Sequence, residues 1–131
     1  MKKKWGKLVA LVTGVIMTGS LIAGCGATQN SNEILIGANY ELTGNIANFG
    51  KQAVNGINLA FKQVNEQGGV NGKKIKLIVA DNKSEASEAA AAVTKLITTD
   101  KCKLVFGAVS SSNVLAAVPI AEANKIPLVT A

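Results

Sequence analysis

The chain has 131 residues, with 14 lysines plus arginines against 8 acids, no histidine, and a formal net charge of +6. Every cation is a lysine and only 4% of residues are aromatic, so the basic balance lacks the guanidinium and ring chemistry of a nucleic-acid surface. With no histidine and two cysteines, Ser-His-Asp catalysis, Cys-His catalysis and the usual metal sites lack their groups.

The first residues read as a targeting segment. Lys2, Lys3, Lys4 and Lys7 form a basic start, Leu8 to Ala23 is uncharged and largely apolar, and Ile22-Ala23-Gly24 sets small residues before Cys25. This is the layout of an export signal over 1–24; a retained membrane anchor is the alternative, although the run is shorter than the roughly 20 residues that span a bilayer core. Ile22-Ala23-Gly24-Cys25 resembles the bacterial lipobox, which implies that the Cys25 thiol is the acylated group, with palmitate among the chains it would carry. Without residues 1–24, 14 lysines less 4 leave 10 against 8 acids, a net +2. Residues 25–32 read as the lipidated cysteine and a small, polar tether.

Glu33 to Ala38 is the first strand; its continuous apolar centre, Ile34-Leu35-Ile36, suits a parallel strand covered on both faces. A loop over 39–48 follows, with Tyr40, Thr43, Gly44 and the helix-start candidate Asn48. Phe49 stands at the head of the next helix and reads as a core aromatic, although it precedes the apolar stripe instead of belonging to it. Ala53, Ile57, Ala60, Phe61 and Val64 mark the apolar stripe, and Gly68-Gly69 ends the helix. Asn71-Gly72 predicts a tight turn before the second strand, 73–80, whose lysines place it nearer a sheet edge than the first. Ser84 is the expected N-cap of a helix with the stripe Ala86, Ala89, Val93, Leu96 and Ile97. The third strand is expected over 103–106, a third helix over 112–124 with a kink or late start at Pro119, and a fourth strand from Leu128. Three βα units in order predict an α/β fold of three layers around a parallel sheet. A chain halting at the carboxyl end of a strand is read as part of a longer protein.

Leu104 to Val118 carries the functional signal. Strand, Gly107 turn and the run Ser110-Ser111-Ser112-Asn113 put hydroxyls and unpaired N–H groups at the carboxyl end of a strand, where open α/β sheets bind ligands. Capping of the third helix is the alternative for one of these serines. Glu41 and Asp81 read as isolated loop acids, solvated or turn-forming. Cys102 reads as a buried small hydrophobe, with a Cys25–Cys102 disulfide conceivable. Phosphate-binding glycine motifs are absent from the sequence.

The stretches INLAFKQVNEQGGVNGKKIKL and VFGAVSSSNVLAAVPIAEANKIPLVTA resemble the N-terminal lobe of the branched-chain amino-acid (Leu/Ile/Val) substrate-binding proteins of ABC transporters, and the resemblance extends over 33–131. It implies an incomplete lobe of the type I periplasmic-binding fold, a non-enzymatic protein without cofactor or metal, and a partnership with ABC permease subunits. The implied location is the outer face of the cytoplasmic membrane, through lipidated Cys25. Position by position, the resemblance implies that Ser111, with Ser112 and Ser110 beside it, binds the ligand α-carboxylate. Phe49 would line the aliphatic side-chain pocket, and Thr43 and Gly44 would form the Ser/Thr-Gly pair of the first loop. A disulfide found in some relatives falls here on Ser84 and Ser110 and is missing. A sensory receptor domain of the same fold, and a binder of amides or urea-like solutes, are the alternatives.

Overall fold

The computed structural model describes residues 32–130. The expected export signal, Cys25 and the expected tether as far as Ser31 lie outside the described residues. The elements run β1 (Glu33–Tyr40), α1 (Ala47–Glu66), β2 (Lys74–Asp81), α2 (Ala86–Thr98), β3 (Val105–Phe106), α3 (Ser111–Ala123) and β4 (Leu128–Val129). All strand pairs are parallel and the sheet order is β2-β1-β3-β4. The first strand is therefore central and the lysine-bearing second strand forms an edge, as their compositions suggest.

Side chains leave successive strand residues on opposite faces, and this separates two apolar layers. On one face Val93, Leu96 and Ile97 of α2 and Ala117 and Ala121 of α3 pack with Val105 and Cys102, joined by Leu35, Ile78, Ala80 and Leu128. On the other, Val54 of α1 packs with Ala38 and Tyr40, joined by Ala53, Ile57, Leu77 and Phe106. The sheet is thus sandwiched between α1 and the α2–α3 pair, the three layers that alternating strands and helices predict.

Several local expectations are corrected. Val54 is the buried anchor of α1 while Ala60 is exposed, because a 3.6-residue repeat through Val54, Ile57, Phe61 and Val64 leaves Ala60 on the flank. Asn48 lies within the first turn of α1, not before it. Ser84 does not cap α2: its backbone is left-handed and its hydroxyl donates to the Thr43 carbonyl at 2.8 Å. Pro119 neither delays nor interrupts α3, which runs from Ser111 to Ala123. Pro119 and Leu115 are both exposed, so the bond that proline forfeits falls on the water side of the helix, where a carbonyl is readily hydrated. Asn71 and Gly72 form the expected tight turn, both with positive φ, closed by Val70 and Lys73.

The exposed rim of β2 is covered in an unusual way. The Asn65 side chain accepts from Ile75 N–H at 2.7 Å and donates to Ile75 C=O at 2.8 Å. One amide group of α1 therefore occupies the first outward-facing pair of backbone groups on β2, which an added strand would otherwise use.

Candidate functional site at the carboxyl edge of the sheet

Parallel strands deliver their connecting loops to one edge of the sheet. Here the loops after β1, β2 and β3 meet there, and β1 lies beside β3. Ser110 forms the non-helical boundary of α3, with Ser111 and Ser112 exposed in its first turn. No side-chain bond caps this end, so the N–H groups of Ser111, Ser112 and Asn113 have no α-helical acceptor. The hydroxyls of Ser110 and Ser112 are paired at 2.7 Å. An anion can be held by such a turn without a positive side chain, because the helix terminus supplies aligned N–H dipoles.

Phe49 sits in the first turn of α1 and is 63% exposed. Its ring is not part of either core layer, so the core-aromatic reading fails. The side chain is free to meet an apolar group at the same edge of the sheet as the serines.

Thr43 and Gly44 occupy the other flank of β1, against the loop after β2. The Asp81 carboxylate accepts from Leu42 N–H at 2.9 Å, Thr43 N–H at 3.2 Å, Thr43 Oγ1 at 2.7 Å and Lys83 N–H at 2.8 Å. Burial pushes the Asp81 carboxyl upward, but the Thr43 hydroxyl and the Lys83, Leu42 and Thr43 N–H groups outweigh it and hold it below its ordinary value. Gly44 has φ +86, and a Cβ there would fall 2.6 Å from Ser84 Oγ and 2.7 Å from Lys83 O. Only glycine fits that turn. Thr43 and Gly44 are thus clamped to the β2 side, while Ser110, Ser111 and Ser112 belong to the β3 side.

Joining the two flanks is a buried polar cluster that no local sequence pattern marks. Glu41 is not the solvated or turn-forming acid its loop position suggests: it is fully buried, as are Asn39, Asn82 and Asn113. Its Oε2 accepts from Val109 N–H at 3.0 Å, and its Oε1 accepts from Ser110 N–H at 3.1 Å and Asn113 Nδ2 at 2.8 Å. Asn113 Nδ2 also reaches Asn82 Oδ1 at 3.3 Å, and Asn39 Nδ2 donates to the Ala89 carbonyl at 3.3 Å. A carboxylate gathered by two backbone N–H groups and an amide is stabilised without a cation. The backbone of α1 also closes on it: a Cβ at Gly50 would stand 2.1 Å from the Glu41 carbonyl oxygen.

No cluster of three or more potential metal ligands occurs among the described residues. The Cys102 thiol is buried, and burial, with Asp100 adding to it, pushes it up to about 11. It behaves as core rather than as a nucleophile, as its position before a strand suggests.

Comparison with known proteins fits this geometry. The chain is 35% identical over 104 residues to an amino acid binding protein of Pseudomonas aeruginosa, covering 79% of this chain and 28% of that protein. The solved branched-chain amino acid transporter substrate binding protein LivJ of Streptococcus pneumoniae, in complex with isoleucine, is 39% identical. It superposes with a TM-score of 0.73 over 75% of this chain and 28% of its own. A solute binding protein of an ABC transporter from Rhodopseudomonas palustris, in complex with 3,4-dihydroxybenzoic acid, is 30% identical, with a TM-score of 0.70 over 76% of this chain and 27% of its own. The chain spans under a third of the length of these relatives. Residues 33–131 match the family model described as periplasmic binding protein, and the chain belongs to that family.

Proposed function

We propose that this chain contributes one wall of a two-lobed solute trap that serves an ABC importer for free amino acids, with branched-chain side chains as the preferred ligands. Family membership supports a solute-binding role outside the cytoplasm and capture rather than catalysis. The single observation that carries the ligand class is the turn over Ser110–Ser112. It sets hydroxyls and unpaired first-turn N–H groups at the carboxyl end of β3, beside β1.

In this reading Ser111 and Ser112 hold the α-carboxylate through hydroxyls and helix N–H groups, with Ser110 shaping the turn. The exposed ring of Phe49 lines the aliphatic side-chain pocket. Thr43 and Gly44 form the clamped rim of the first loop. Isoleucine and 3,4-dihydroxybenzoate, the ligands held by two structural relatives, share a carboxylate and differ elsewhere. That contrast favours assigning the carboxylate to the serine turn and the choice of side chain to other surfaces. A second lobe, closing over the bound molecule, would shift the population to the shape that a permease recognises. Acylated Cys25 would tether the assembly to the outer face of the membrane, two acyl chains being needed for stable anchoring.

Calorimetry on the full-length protein tests the ligand: heat with Leu, Ile or Val and none with 3,4-dihydroxybenzoate is the expected result. Binding of the aromatic acid alone, or of amides alone, would move the assignment to another solute class. Ser111→Ala should weaken isoleucine binding about tenfold, the loss of one charge-assisted hydrogen bond. For the tether, acyl-chain labelling of the wild type should vanish in Cys25→Ser; equal labelling of both would exclude Cys25 as the acylated group.

A further inference from the structure

We infer that Glu41 is a positioning residue for the serine turn, a role that rests on the proposed binding of a ligand carboxylate by Ser111 and Ser112. Glu41 leaves the carboxyl end of β1, where its side chain is fully buried, and grips the last two residues before α3 by their N–H groups. Its third donor, Asn113, belongs to the first turn of α3 itself. One carboxylate thereby fixes both the approach to the helix and the helix start. Asn82, at the end of β2, is tied into the same cluster through Asn113. The turn that would meet the ligand is consequently registered against β1 and β2, not merely against β3.

The arrangement divides the donors of this turn into two sets. Val109 and Ser110 N–H face inward to Glu41, so they are withdrawn from any ligand. The next N–H groups, those of Ser111, Ser112 and Asn113, have no α-helical acceptor, and Ser111 and Ser112 are exposed. Pre-organised donors raise affinity by removing the ordering cost of binding. Charge and geometry then act in opposite directions. A buried anion near the start of α3 opposes a second anion there, so removal of its charge alone would strengthen carboxylate binding. Removal of its two-oxygen grip would loosen the turn and weaken binding. The sign of the change distinguishes the two.

Glu41→Gln keeps the size but sets an amide N–H₂ against at least one of the three donors. Glu41→Asp keeps the charge but withdraws the carboxylate by one methylene. In the full-length protein, both variants are expected to bind isoleucine at least tenfold more weakly, a change equal to about 1.4 kcal/mol. Both should also lose hydrogen-exchange protection at the Val109 and Ser110 amides while Val93 and Leu96 keep theirs. Asn65→Ala, which loosens the far rim of the sheet, serves as the stability control: its isoleucine affinity should equal that of the wild type. Unchanged or tighter isoleucine binding by Glu41→Gln, or wild-type affinity in Glu41→Asp, would overturn the positioning role. If wild-type protein bound no amino acid, the functional reading would fall. The exchange data would still judge the grip, and retained protection at Val109 and Ser110 in both variants would refute it.

Discussion

Two glycines of α1 offer a matched test of the close approach between this helix and the loop after β1. Replacing a helical glycine by alanine ordinarily stabilises by about 0.5–1 kcal/mol, since the alanine backbone loses less freedom on folding. At Gly56 a Cβ would meet nothing within 4 Å, so Gly56→Ala should show that gain undiminished. At Gly50 the added Cβ would stand 2.1 Å from the Glu41 carbonyl oxygen, 2.7 Å from its carbon and 2.9 Å from its nitrogen, whereas ordinary contact begins at 3.4 Å. These are backbone atoms, which cannot rotate aside, so α1 or the loop has to move. Overpacking of this kind costs about 1–3 kcal/mol and exceeds the propensity gain. Gly50→Ala should therefore destabilise by about 1–2 kcal/mol net. Urea denaturation followed by circular dichroism measures both, read as midpoint shifts at constant slope. The same substitution in the same helix should give opposite signs. Equal stabilisation by both would show that α1 does not rest on the Glu41 backbone.

Three further outcomes can be checked alongside it. Asp81 has its folded-state carboxyl held below the ordinary 3.8, so its clamp contributes stability above about pH 4 and loses it as pH falls through the lowered folded value. Asp81→Asn should therefore flatten the acid limb of the stability curve, and an unchanged limb would argue against the clamp. Asn65→Ala should cost about 1–2 kcal/mol in denaturant, with the two Ile75 bonds lost together; increased self-association is expected as well, since the rim of β2 is uncovered. Cys102 should react with a disulfide reagent at pH 8 only at the rate of unfolding, because its thiol is buried and pushed up to about 11; rapid labelling of native protein would contradict that burial.

The layered architecture was legible from the sequence because hydrophobic repeats report on burial directly. Ala89, Val93, Leu96 and Ile97 are spaced for one helical face and all four are buried. The lysines of β2 marked it as an edge strand, since a strand with one open side tolerates charge. Helix starts were less legible: Ser84 has the side chain of an N-cap, yet its hydroxyl is drawn across to Thr43 by the packing of two loops distant in sequence. Glu41 was misread for a related reason. Its donors lie 68 to 72 residues away, and nothing local to a single acid in a loop announces partners so remote. The one available hint was positional: a carboxylate immediately after a strand whose second half is buried, facing a turn rich in unpaired N–H groups. The serine turn itself was visible because strand, glycine and hydroxyl run are contiguous.

The Asn65 amide against Ile75 also gives the sheet a direction of growth. A strand approaching β2 from outside would have to evict that side chain and break both of its bonds before pairing with the start of β2, whereas Leu128, at the outer flank of β4, meets no such side chain among the described residues. Extension of this sheet by further chain is therefore favoured beside β4, away from β2. The β1–β3 crevice would then lie nearer the middle of a wider sheet, walled on both sides.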